Sequence, residues 1–174
     1  LYRSNTPIDF FNWVPVRDAK TAKFQLLLAS QLTNSVRFFS LSLSADYQVL
    51  ATIPHFELSG NQSLSPFFSN ETQVFFLARQ ADEHRLYKGD LTTGQVDLLF
   101  SPSQQFSPYR IAPSATKNSI TLLGFDEQRR SQIKLLSTTT GEITDLKTLD
   151  ANWYFISYAS SFSGYLLSDG KELF

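Results

Sequence analysis

The sequence predicts an all-β, β-propeller-like chain of about three and a half four-stranded blades, forming an incomplete or small ring. Three observations predict it. A pattern of strand-length apolar segments recurs, with its turn glycines Gly94 and Gly141 lying 47 residues apart. The tripeptide Thr-Thr-Gly recurs at both places, Thr92-Thr93-Gly94 and Thr139-Thr140-Gly141. Aromatic residues make up 14% of the chain, with 16 Phe, 7 Tyr and 2 Trp, and such side chains fit a pleated, half-buried surface.

One domain is expected over residues 1–174, with repeats at about 11–53, 64–100, 108–149 and 152–174. In the first repeat, Phe24 to Leu28 is an apolar strand and Leu32-Thr33-Asn34-Ser35 a turn. Val36 to Leu41 returns, Ser44-Ala45-Asp46 stands where Thr-Thr-Gly stands later, and Tyr47 to Ile53 is the last strand. Asp18 to Ala29 also reads locally as a capped amphipathic helix. Its alignment with the later repeats outweighs that propensity. The second repeat has the apolar run Val74 to Ala78, a polar turn at 82–84, a strand from Arg85 to Asp90, and Gln95 to Phe100 after the glycine turn. The third repeats this order: Ile120 to Phe125, a turn at 126–129, Gln132 to Leu136, then Glu142 to Leu146. The fourth has Trp153 to Tyr158, Gly164 to Leu167 and the hairpin dipeptide Asp169-Gly170.

Composition narrows the function. The formal net charge is −1 and no basic stripe occurs, so a nucleic-acid surface is not expected. There is no Cys, which removes disulfides, thiolate metal sites and a Cys nucleophile. Met is absent even at position 1, as expected of a processed or excised piece of a longer protein. The longest strongly apolar stretch, Phe24 to Ala29, is too short to span a membrane, so contact with one is expected only through a flanking anchor.

Catalysis needs a positioned nucleophile, acid or base. His84 falls in an expected hairpin turn, and His55 beyond the outer strand of the first repeat, where packing explains it. No nucleophile elbow, zinc-binding His pair or phosphate loop is present. The pairs Asp82-Glu83 and Asp126-Glu127 read as equivalent solvated turns. No enzyme activity, metal or cofactor is therefore expected. Aromatic clusters precede or form the innermost strand of each repeat, which in a propeller lines the central channel. Trp13, Tyr109, Arg110, Trp153 and Tyr154 are the polar-tipped members and the candidate ligand-binding residues.

The stretch Leu86-Tyr87-Lys88-Gly89-Asp90-Leu91-Thr92-Thr93-Gly94-Gln95-Val96 resembles the TolB-type propeller repeat, in which Leu-Tyr leads into Asp-Leu-x-Thr-Gly before the outer strand. Thr139-Thr140-Gly141-Glu142 looks like the same feature. The resemblance runs from about Trp13 to the C-terminus. It departs at the usual Ser-Pro-Asp-Gly turn, replaced by Ser69-Asn70-Glu71-Thr72 and Pro113-Ser114-Ala115-Thr116. The family implies a periplasmic, non-enzymatic sensory or interaction module that binds a small ligand or a protein. One host is the periplasmic sensory part of membrane-anchored regulators similar to CadC and ToxR. The alternative implied by the family is the accessory, non-catalytic propeller of a larger hydrolase or peptidase. A partial last repeat also raises closure, by one of three routes: Leu1-Tyr2-Arg3-Ser4 supplies the missing strand, the chain is cut from a larger ring, or, as expected here, an open incomplete ring is covered by self-association.

Overall fold

The computed structural model describes residues 10–14, 24–60, 63–64, 68–69, 72–103, 105–114, 116, 118–149, 155–159 and 164–168. Among them the only regular secondary structure is antiparallel strand. The first sheet has the order β1 (Phe10–Val14), β2 (Phe24–Gln31), β3 (Ser35–Leu43) and β4 (Val49–Ser59). The second orders β5 (Ser63–Leu64), β7 (Gln73–Gln80), β8 (Glu83–Asp90) and β9 (Val96–Phe100), with β6 (Phe68–Ser69) also paired to β7. The third orders β10 (Ser107–Pro113), β11 (Ser119–Phe125), β12 (Ser131–Ser137) and β13 (Ile143–Thr148). A pair, β14 (Phe155–Ala159) and β15 (Gly164–Ser168), follows. Each sheet meanders in chain order, as short hairpin connections require.

The chain forms two compact units, residues 1–82 with 87–98, and residues 83–86 with 99–174. In the first, β2 alternates cleanly. Leu27 and Ala29 face one side with Val36 and Phe38, where they pack on Leu64, Val74, Phe76, Ala78, Tyr87 and Leu91. Leu28 faces the other side with Phe39, Leu41 and Leu43. These last four are at most 7% exposed. Strands apolar on both faces are what a blade between layers needs. Four rings carry the first core: Phe38 to Phe76 at 4.8 Å, Phe38 to Phe56 at 4.9 Å, and Phe76 to Tyr87 at 5.6 Å. Each fully buried side chain of this size contributes about 1.5–3 kcal/mol relative to exposure. In the second unit Ala112, Leu123, Ile133 and Leu149 form a core with Tyr109 against it.

The turns repeat in detail. In the β8–β9 turn, Asp90 N–H donates to Gln95 O at 2.8 Å and Gly94 N–H to Asp90 O at 2.9 Å. In the β12–β13 turn, Ser137 N–H donates to Glu142 O at 2.9 Å and Gly141 N–H to Ser137 O at 3.0 Å. The Asp90 carboxylate accepts the Thr92 and Thr93 N–H groups; Ser137 Oγ accepts from Thr140 N–H. Gly94 and Gly141 have φ of 75° and 74°, a region cheap only for glycine. In the β3–β4 turn the left-handed residue is Tyr47, φ 58°, one position after the Asp46 that the alignment placed there.

Several expectations shift. Residues 24–29 are strand, so tertiary pairing of β2 with β1 and β3 overrides the local helix pattern. Asp18 to Lys23 lie outside the described residues. The outer strand expected at Tyr47 to Ile53 runs on to Ser59, because two bulges, at Leu50 and His55, let the ladder continue. The turn at 32–35 is present, closed by Leu32 N–H to Ser35 O at 2.8 Å. The β7–β8 turn sits at Ala81–Asp82, with Ala81 at φ 54°, and β8 already begins at Glu83. The β11–β12 turn spans 126–129, with Arg129 at φ 63°. Asp169-Gly170 lies outside the described residues.

Candidate functional site

Of the five candidate residues, Trp13 is in β1 at the register position opposite Leu26. Tyr109 and Arg110 are in β10, both half-buried. The β10–β11 register shifts between Pro108 and Arg110, which makes Tyr109 the extra residue of a bulge. Its ring stacks on Phe125 at 4.6 Å and packs against the core of the second unit. That contact draws Tyr109 toward a packing role and leaves Arg110 as the polar-tipped residue of the pair. Trp153 and Tyr154 lie outside the described residues. Tyr109 and Arg110, neighbours in the sequence, thus lie at the β10 bulge, and a site made of all five is not described.

His55 is placed differently from the sequence expectation. It lies within β4 at the second bulge, half-buried, and its imidazole is held on both nitrogens. Leu91 O lies 2.8 Å from Nδ1, and a carbonyl can only accept, so Nδ1 carries the proton. Nε2 then accepts the hydroxyl of Ser40 at 2.7 Å. A serine donating to an imidazole oriented from its far side is the polarity of a nucleophile–base pair. Ser40 is 0% exposed, however, so no substrate reaches it in this conformation. The pair instead ties β3 and β4 to the turn after β8. That turn comes close: a Cβ at Gly94 would lie 2.8 Å from His55 O. No sequence motif marks this contact, whose partners are 15 and 36 residues from His55. His84, expected in a turn, is the second residue of β8 and half-buried.

The two acidic turns also differ from each other. Asp82 is solvated and pairs with Arg79 at 2.8 Å. Asp126 is buried, and its carboxylate closes the β11–β12 turn. It accepts from Gln128 N–H at 2.9 Å, Arg130 N–H at 2.8 Å, Arg130 Nε at 2.8 Å and Gln132 Nε2 at 3.3 Å. Burial pushes this carboxyl up, but the Arg130 backbone and guanidinium and the Gln128 N–H outweigh burial and hold it below its ordinary value. With both oxygens occupied, Asp126 offers no open ligand position. On β4, the Ser35 hydroxyl and then the Arg37 guanidinium hold Glu57 below its ordinary value.

The second unit also carries an open cleft of about 500 Å³ that the sequence did not flag. Phe100, Gln105, Phe106, Glu142, Thr144 and Asp145 are among its lining residues. Lys134 crosses it, 2.7 Å from Asp145 and 4.9 Å above the Phe106 ring. Its charge is thus already compensated by a carboxylate and a π face. Among the described residues no group of three or more His, Cys, Asp or Glu side chains could hold a metal ion, and no helix is long and apolar enough to cross a membrane.

Four-stranded antiparallel blades, repeated with the same turn chemistry, define a β-propeller-like chain. The solved structures agree. TolB from Acinetobacter baumannii is similar over 99% of this chain and 41% of its own, at 18% identity and a TM-score of 0.65. Oligogalacturonate lyase in complex with manganese is similar over 95% of this chain and 55% of its own, at 12% identity and a TM-score of 0.56. Puromycin hydrolase is similar over 82% of this chain and 23% of its own, at 12% identity and a TM-score of 0.57. The fold is that of TolB-like propellers, and the chain spans only part of the length of each of these proteins. No family model matches the sequence, and no curated protein matches it.

Proposed function

We propose that this chain is a non-enzymatic, periplasmic interaction module, the sensory part of a membrane-anchored regulator, which binds a small ligand or a protein through the rim and channel of the propeller. The observation that carries the non-enzymatic reading is the burial of Ser40 beneath His55: this serine–imidazole pair is closed off inside the blade. Arg110 at the β10 bulge supports the binding reading, since a bulge re-aims the side chains beside it. Likeness to TolB over nearly the whole chain supports the periplasmic setting.

The flanking sequence of the full gene tests the reading most cheaply. A winged helix and a membrane span upstream support it. An α/β-hydrolase domain downstream contradicts it and favours a second reading, an accessory propeller of a hydrolase, to which the likeness to puromycin hydrolase points. Hydrolysis of p-nitrophenyl esters or aminoacyl naphthylamides by the purified chain, abolished in Ser40→Ala, would contradict both.

A further inference from the structure

We draw no further inference here: the strongest candidate, the open cleft of about 500 Å³ in the second unit lined by Phe100, Phe106, Lys134, Glu142 and Asp145, carries nothing, because Lys134 is already compensated by Asp145 and the Phe106 ring and nothing in the structure points to a ligand for the acidic pair, Glu142 and Asp145, that is left.

Discussion

His55→Ala removes one side chain and strands two groups. Ser40, fully buried, loses the acceptor at 2.7 Å, and the Leu91 carbonyl loses the donor at 2.8 Å. A made hydrogen bond contributes about 1 kcal/mol net, but a buried group left unpaired costs about 1–3 kcal/mol. The Leu91 carbonyl keeps a second lone pair, so most of the cost falls on the fully buried Ser40 hydroxyl. The expected destabilisation is about 2–4 kcal/mol, which for a chain of this length lowers the melting temperature by roughly 4–16 °C. Ser40→Ala removes the stranded hydroxyl itself, so the double variant is expected to recover about 1 kcal/mol or more relative to the sum of the single losses. Urea unfolding at neutral pH of wild type, both single variants and the double variant measures this. His55→Ala within about 0.5 kcal/mol of wild type, or strict additivity, would refute the assignment of His55 as the tie between β3, β4 and the turn after β8.

Gly94→Ala is expected to destabilise more than Gly141→Ala, measured by the same unfolding curves. Both force alanine into a left-handed conformation at about 1–2 kcal/mol, but only at Gly94 would the new Cβ meet a backbone atom, His55 O at 2.8 Å; at Gly141 nothing lies within 4 Å. Gly124→Ala puts a Cβ 2.5 Å from both the Phe106 ring and Ser107 O, so an overpacking loss of about 1–3 kcal/mol or a fall in soluble yield is expected. Asp126 is held below its ordinary value, so its contribution to stability is present above about pH 4 and is lost as pH falls through its lowered folded value. Asp126→Asn is accordingly expected to flatten the acid limb of a melting-temperature profile, and an unchanged limb would contradict its closure of the turn.

The repeat was legible because its signals are local. Thr-Thr-Gly turns need a left-handed glycine, and apolar runs such as Val74 to Ala78 need only neighbours in sequence to be recognised as buried strands. The bulges were not legible. Placing His55 in the ladder requires knowing that Phe38 pairs with Phe56 and Phe39 with Pro54, a register that no property of the outer strand announces. The same blindness put the first left-handed turn residue at Asp46 rather than Tyr47, since a tyrosine there runs against intrinsic preference. The site was less legible than the fold. Aromatic residues such as Tyr109 serve cores and channels alike, and its 4.6 Å stack on Phe125 and its packing on the second core mark it off from Arg110 beside it.

Amide hydrogen exchange, resolved to short peptides, tests the blade arrangement most directly. Three protected blocks are required, centred on the β2–β3, β7–β8 and β11–β12 hairpins, where Leu27, Phe38, Phe76, Leu86, Leu122 and Leu136 are buried. The outer strands β9 and β13 should exchange faster than the strands they flank. Protection confined to one block, or a continuous protected run through 18–32 as a helix there would give, would contradict the repeat of blades on which everything above rests.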